Sequence, residues 1–184
     1  MVETRSEHLD LSLTPLDDVF VSVVDGDLDG LIQTLNENPF MDLNKPHRDH
    51  YGYTILHFAL DRHYGSSEFH DEIVRTLLEF GADPNAVDEF ERTPMHIITE
   101  NGTSSVTDIT VMLECDANPN AKNILGRTPL HNAALSSNNF DVIRALKDGG
   151  ADLSVRDYLG MTPHDIYLKN FNRCSPLLDR AHKT

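Results

Sequence analysis

The sequence predicts an all-α solenoid in which pairs of short helices repeat along the chain. A tetrapeptide of the form Thr-Pro-Leu-His recurs, with small changes, at residues 54, 93 and 128, and weakly at residue 162. A second marker, Gly-Ala-Asp-Pro-Asn at residue 81, returns in altered form at residues 116 and 150. Apolar residues follow each tetrapeptide at helical spacing. Since one such helix pair cannot bury its own apolar face, the repeats are expected to stack.

The length and composition of the chain indicate one folded domain. The chain has 184 residues, of which 39% are hydrophobic, and its apolar runs are too short for a membrane span. Its first residues lack the basic end and apolar stretch of a signal peptide. Cys115 and Cys174 cannot form a disulfide framework, so a reducing intracellular setting, the cytoplasm or also the nucleus, is expected.

The charge narrows the class of partner. A net charge of −15 argues against nucleic acid, because phosphate contacts need Lys and Arg. It permits a partner protein with a basic surface. We expect no membrane contact and a monomer or weak dimer.

The stretch DGDLDG, residues 25–30, imitates a calcium loop. Its three aspartates alternate before a glycine, as in an EF-hand, but the bidentate glutamate of such a loop would fall at Asn36. In repeat register the stretch is an inter-helix loop, residues 24–27, followed by a second helix, residues 28–35. A helix running through the loop cannot wrap around a cation, so no calcium site is predicted.

Each repeat contains its own start and stop signals. The threonine of the tetrapeptide is an N-cap and the following proline suits the first helical position, so a short apolar helix begins there. A polar loop leads to a second helix, expected at residues 71–80, with Ile73, Val74, Leu77 and Leu78 on one face. Gly81 is expected to end it in a left-handed cap.

These two markers resemble the ankyrin repeat family, over roughly residues 16–167. The resemblance implies two antiparallel helices per repeat and β-turn fingers that project from the stack. Residues 1–13 are expected to form a loose tail and residues 14–184 the repeat domain. The repeats are placed at about 14–47, 48–86, 87–121, 122–155 and 156–184, the last a truncated cap. In the first, Thr14-Pro15-Leu16 imitates the motif but lies three residues out of register.

The histidines are expected to be structural rather than metal ligands. The resemblance implies that His57, His96 and His131 hydrogen-bond backbone and tie adjacent turns together. His47 with His50, and the group around residues 63–71, lack zinc-site spacing and are expected to be solvated. No metal and no cofactor are predicted.

Nothing in the chain indicates catalysis. Phosphate loops, nucleophile elbows and dinucleotide fingerprints are absent from the sequence. Cys115 takes the position of Phe80 one repeat earlier, and we expect it to be a small packing residue rather than a nucleophile. The chain is therefore not expected to be an enzyme.

The resemblance implies that the turn residues before each motif threonine lie on fingers at the concave side of the stack. Three places before the threonines, the tips carry Tyr51, Phe90, Leu125 and Leu159. Four places before are His50, Glu89, Ile124 and Tyr158, and one place before are Tyr53, Arg92, Arg127 and Met161. Asp61, Arg62, Glu100 and Asn101 are expected at the exposed ends of first helices. Because aromatic, aliphatic and Arg side chains are typical of interfaces, we interpret this ladder as partner-binding. Alternatively, some tips pack on the next finger.

The resemblance implies one further site, an asparagine that an asparaginyl hydroxylase could modify. Asn85 has an aspartate two residues before it and a leucine eight residues before it, and Asn120 matches less well. The alternative is that Asn85 only hydrogen-bonds its turn.

The function expected is therefore a non-enzymatic module that binds and masks or tethers a partner protein through its fingers and inner helices. One alternative is an inhibitor of a signalling protein, either of the I-kappa-B type or a viral or bacterial host-directed stack. A second is a regulatory or targeting subunit of an enzyme complex. A third is a metal-responsive protein that uses the loop at Asp25 or at His63.

Overall fold

The computed structural model describes residues 14–47, 50–61, 70–100, 106–135 and 140–171. Within these ranges the chain forms nine α-helices and no strand, as the repeat pattern predicts. They are α1 (Pro15–Asp25), α2 (Leu28–Glu37), α3 (Ile55–Leu60), α4 (His70–Glu79), α5 (Pro94–Glu100), α6 (Val106–Glu114), α7 (Pro129–Ala133), α8 (Phe140–Asp148) and α9 (Pro163–Phe171). In these ranges no helix has both the length and the apolar character needed to cross a bilayer.

The helices stack in two rows. The first helices, α1, α3, α5, α7 and α9, contact one another in order, and so do the second helices, α2, α4, α6 and α8. A continuous core of buried side chains runs from Val19 in α1 to Tyr167 in α9. The apolar face of each pair is therefore buried by its neighbours, which is the arrangement that makes a solenoid stable.

A buried histidine both starts each internal first helix and reaches the next repeat. His57 Nδ1 accepts hydrogen bonds from the Thr54 backbone N–H, at 3.2 Å, and from the Thr54 hydroxyl, at 2.9 Å. Because Nδ1 is the acceptor, the proton lies on Nε2, which donates to the Arg92 carbonyl at 2.9 Å. The same arrangement recurs at His96 with Arg127, and at His131 with Met161.

An asparagine ladder links the turns that follow the second helices. Asn85 accepts from the Asn118 backbone N–H at 2.7 Å and donates to the Asp116 carbonyl at 3.0 Å. Asn44 and Asn120 make the equivalent pairs with the turns after α4 and α8. The second helices α4, α6 and α8 are followed by a left-handed residue, at Gly81, Asp116 and Gly150 in turn, so the stop predicted at Gly81 is confirmed.

The first repeat differs from the expected register. α1 has eleven residues, and Thr14 is its N-cap with Pro15 at the first position, so the motif does begin a helix. α1 continues to Asp25, which shortens the expected inter-helix loop to two residues, Gly26 and Asp27. Asp27 then caps α2 by accepting from the Gly30 N–H at 3.0 Å. The imitation of a calcium loop is thus a helix end followed by a helix start.

Aspartate replaces histidine in the first and last repeats. Asp17 accepts from the N–H and hydroxyl of Thr14, and Asp165 does the same with Thr162. The backbone hydrogen bond from each threonine lowers the pKa of its aspartate. A carboxylate has no proton to donate to a carbonyl of the next repeat. These two residues therefore keep the local helix start without the bridge.

We expect the stack to lose stability as pH falls from 7 to 5. Burial lowers the pKa of His96 to about 4, and burial also lowers the pKa of His57 and His131. Each imidazole is protonated in the unfolded chain below about pH 6.5 but stays neutral in the fold. The unfolded state then binds more protons, so the stability present above pH 6.5 is lost as pH falls below that value, and for His96 the loss continues to about pH 4.

For His96 alone the expected loss between pH 7 and pH 5 is about 1–2 kcal/mol. Urea unfolding of the wild type and of His96→Asn at both pH values measures it. The variant should be less stable at pH 7, and the gap should narrow at pH 5. A gap that stays constant would show that His96 does not titrate between the two states.

Candidate protein-binding surface

Four turns form the fingers, which we number along the chain as finger 1 (residues 50–53), finger 2 (88–92), finger 3 (123–127) and finger 4 (157–161). In finger 2 the buried Asp88 carboxylate accepts from the backbone N–H groups of Phe90 and Arg92, both at 2.8 Å. Asn123 and Asp157 hold fingers 3 and 4 in the same way. These three residues fix the turn from its base.

Neighbouring fingers are joined tip to tip through their backbones. The Glu89 N–H donates to the Tyr51 carbonyl at 2.9 Å, and the Ile124 N–H donates to the Phe90 carbonyl at 3.0 Å. A third bond joins Tyr158 N–H to the Leu125 carbonyl at 3.1 Å. Three carbonyl groups and three N–H groups at the tips are thus paired within the stack through backbone alone.

The tip side chains are exposed. Tyr51 is 62% exposed, Phe90 40%, Leu125 53% and Leu159 75%. We define the fingertip patch as these four residues together with Ile124 and Tyr158, which are also exposed. The Tyr51 and Phe90 rings lie 5.7 Å apart between centroids, so the tips of fingers 1 and 2 touch each other while their outer sides face solvent.

Finger 3 shows why a tip needs glycine at one position. Gly126 has φ +71°, in the left-handed region, and a Cβ there would lie 2.7 Å from the Tyr158 ring. The ring of finger 4 therefore packs against bare backbone of finger 3. Contact between the tips and exposure of their outer sides occur together here, rather than as alternatives.

Two residues expected on the surface are interior instead. Tyr53 is only 7% exposed and packs with Phe58 and Ile97 between finger 1 and the first helices. Asp61 is 6% exposed, so the expectation that it lies at an exposed helix end is wrong. Burial also raises the pKa of the Tyr53 hydroxyl, which stays protonated and serves as a donor. Arg62 and Asn101 lie outside the described residues.

Arg92 is the centre of a polar network that fastens finger 2 to the first helices. Its Nε donates to Asp88 Oδ2 at 2.7 Å, and its Nη1 donates to Glu100 Oε2 at 2.8 Å. Its Nη2 donates to the Tyr53 hydroxyl at 3.3 Å, and that hydroxyl donates to Asp61 at 3.4 Å. Four of the predicted binding residues are therefore brought together in a brace beneath the tips, in which Tyr53, Asp61 and Arg92 are covered and Glu100 is exposed, as expected.

The Arg92 network is partly shielded from solvent, and the corresponding arginine of finger 3 has different partners. Burial raises the pKa of Glu100, although Arg92 opposes the shift. Arg127, which corresponds to Arg92, has Asn123 at the base of its own finger and lies 3.5 Å from Asp157 of finger 4 instead. Both arginine side chains are largely covered, so neither is an open arginine of the kind expected from the sequence.

A family comparison agrees with this geometry. The family described as ankyrin repeats, three copies, matches residues 62–157, which is more than half of the chain. The chain belongs to the ankyrin repeat family. No curated protein matches the sequence. Ankyrin repeats indicate a protein–protein interaction module, and the matched range includes fingers 2 and 3 completely and the first residue of finger 4.

Within the ankyrin stack, Asn85 is a structural residue whose modification stays a prediction. Its amide makes both bonds that join two turns, and its own N–H donates to Asp83 at 2.8 Å. The residue is exposed on the surface of the turn. Hydroxylation at Cβ would leave the amide in place, so the ladder does not itself forbid the modification.

Two expectations about other residues of the ankyrin stack are wrong. His47 and His50 are not simply solvated, because their rings pack against Phe58, and that of His47 also against Phe20. Cys115 is exposed, as is Phe80 at the same position one repeat earlier, so it is not a packing residue. Among the described residues no group of three or more His, Cys, Asp or Glu could hold a metal ion.

The bases of the fingers were not identified from the sequence. Asp88, Asn123 and Asp157 each stand five residues before a motif threonine, at 93, 128 and 162. That fixed spacing of an Asx side chain ahead of a turn was the available signal.

We expect Arg92→Ala to destabilise the fold by about 2–3 kcal/mol, because it leaves the buried Asp88 carboxylate without its ion pair. Arg144→Ala, which removes an exposed arginine from a long 3.8 Å pair, should cost less than about 0.5 kcal/mol. Denaturant unfolding of both variants measures the difference. Equal effects would mean that the network under finger 2 contributes no more than a surface contact.

Proposed function

We propose that this ankyrin stack is a non-enzymatic binding module that holds a partner protein on the fingertip patch. The observation that carries the proposal is a set of three backbone bonds that join four successive fingers, each of which exposes an apolar side chain at its tip. Large apolar side chains that are lined up on a surface without a role in the core mark interaction sites in soluble proteins.

The rigidity of the patch favours tight binding. Backbone bonds join the tips, and the Arg92 network anchors finger 2 from below. A preformed surface loses little conformational entropy when a partner docks. Tyrosine is enriched among residues that dominate interface energies, and the patch contains two, Tyr51 and Tyr158.

The charge of finger 2 supports a partner with a basic surface. Glu89 and Glu91 are exposed on both sides of Phe90, and neither makes an ion pair with a described residue. The chain as a whole carries −15. A partner that covers Phe90 with an apolar side chain and presents Lys or Arg beside it would satisfy both features.

The proposed mode of action is occupancy: the bound partner is masked or tethered by the stack. The proposed setting is the reducing interior of a cell, in keeping with the two cysteines of the chain. An inhibitor and a regulatory or targeting subunit would both act in this way.

The test is the double variant Phe90→Ser/Leu125→Ser, used as bait beside the wild type in extracts of cells that express the chain. Bound proteins are identified by mass spectrometry, and the affinity for the main partner is then measured by calorimetry. We expect at least about a tenfold loss of affinity, since central interface residues carry most of the binding energy. The melting temperature should change little, because both side chains are exposed.

The matched control is Phe40→Ser/Leu168→Ser, which removes the same side chains at exposed positions outside the fingers. It should bind like the wild type. Equal affinity for the finger variant and the control would contradict the proposal. A collapse of the melting temperature in the finger variant alone would show that the tips belong to the core.

A further inference from the structure

A second surface lies on the row of second helices, where α6 and α8 line an open, shallow groove of about 660 Å³. Its lining comes from these two helices and the glycine that follows them: Val106, Thr110, Leu113, Glu114, Asp141, Arg144, Ala145, Asp148 and Gly149. No finger residue is among them. The groove is therefore separate from the fingertip patch.

The floor of the groove is apolar and depends on a glycine. Gly149 has no side chain, and a Cβ there would lie 2.3 Å from Leu113 Cδ1, so Leu113 lies across bare backbone. The position of Gly149 is occupied by Cys115 one repeat earlier and by Phe80 two repeats earlier. All three residues directly precede the left-handed residue that follows the second helix. Val106, at the first turn of α6, is 40% exposed at the end of the groove.

The preceding groove, between α4 and α6, is crossed by an ion pair. Arg75 on α4 lies 3.5 Å from Glu114 on α6. Arg75 stands six residues before Gly81, and Glu114 stands two before Asp116. The side chain of one second helix thus reaches across to the acid at the end of the next.

The groove between α6 and α8 has an acidic residue at the position of Glu114 but no basic residue at the position of Arg75. Thr110 stands six residues before Asp116, where Arg75 stands one repeat earlier, and Asp148 stands two before Gly150, where Glu114 does. The Thr110 hydroxyl donates to the Val106 carbonyl of its own helix at 2.9 Å. Asp148 is exposed and makes no ion pair with any residue that the structure describes.

The remaining charges of the rim do not replace the missing cation. Arg144 lies 3.8 Å from Asp141, on its own helix, and Glu114 is already paired with Arg75. The rim therefore presents three carboxylates and one arginine around an apolar floor. That surface complements a cation carried on an aliphatic stem.

We propose that this groove binds a segment of a partner protein that inserts an arginine beside an aliphatic residue. The guanidinium pairs with Asp148, as Arg75 pairs with Glu114 one repeat earlier, and its methylenes lie on Leu113 and Ala145. The aliphatic neighbour covers Val106. The site is a docking surface additional to the fingers, and it does not depend on the fingertip proposal.

The experiment titrates the isotope-labelled chain of 184 residues with a synthetic peptide of about twelve residues, whose central arginine is flanked by leucines. Amide chemical shifts report the site. The peptide with citrulline in place of the arginine tests the charge. The protein variants are Asp148→Asn, which removes the acid, and Thr110→Arg, which supplies the internal cation. Asp29→Asn, an exposed acid of α2, is the matched charge control.

We expect shifts confined to α6 and α8, and an affinity about three- to fivefold weaker with citrulline or with Asp148→Asn, as for a half-exposed ion pair. Thr110→Arg should weaken binding at least as much, because its own side chain then occupies the groove. Asp29→Asn should bind like the wild type.

The proposal would be overturned by the absence of shifts, by shifts centred on the fingers, or by equal loss with Asp29→Asn and Asp148→Asn. Shifts of α6 and α8 that follow protein concentration without peptide would instead assign the groove to a second copy of the chain, which also overturns it.

Discussion

A neutral imidazole with one accepting and one donating nitrogen connects each internal repeat to the next. In His57 the accepting nitrogen fixes the start of α3, and the donating nitrogen holds the carbonyl of Arg92 in finger 2. A protonated ring would lose the first bond, and burial disfavours that form. The position of a finger is thereby set by the helix start of the repeat before it, so errors of register in one repeat would move the next finger.

The finger that this bond holds is also the one with the strongest brace. The Arg92 carbonyl accepts from His57 of the preceding repeat, and the Arg92 side chain pairs with Asp88 and Glu100. One residue therefore links finger 2 both to the preceding repeat and to the first helix α5. Buried charges of this kind are costly unless every partner is present. Here the guanidinium carbon of Arg92 also lies 5.0 Å from the centroid of the Phe90 ring, so the network contacts the tip of finger 2.

Satisfied backbone inside the stack is what leaves side chains available outside it. The tip carbonyls of fingers 1 to 3 each accept from the next finger, so neighbouring tips are joined through backbone rather than through their own side chains. The same division occurs on the second-helix row, where the Asn ladder joins the turns while the surface between α6 and α8 stays open. In both places hydrogen bonds between neighbouring repeats hold the turns, and the side chains that differ from repeat to repeat face solvent.

The sequence predicts the framework better than the surface, for physical reasons. Helix starts and left-handed stops depend on local chemistry, so α4 and the turn at Gly81 could be placed within about one residue. Tyr51 and Tyr53, by contrast, have the same side chain and stand two residues apart, yet only Tyr53 is buried against Phe58. Burial of that kind is decided by residues distant in sequence, which periodicity within one repeat does not report. The groove beside Gly149 was missed because the absent cation becomes visible only when ion pairs of neighbouring repeats are compared.

Native-state hydrogen exchange at the finger amides tests the central claim most directly. The amides of Glu89, Ile124 and Tyr158 donate to the preceding fingertip. If the hydrogen bonds between repeats hold the fingers as one preformed surface, these amides exchange only when whole repeats open. Their exchange should then be as slow as that of amides in the buried first helices. Exchange at the rate of unprotected loop amides would contradict the account, because the fingers would then open independently of the stack.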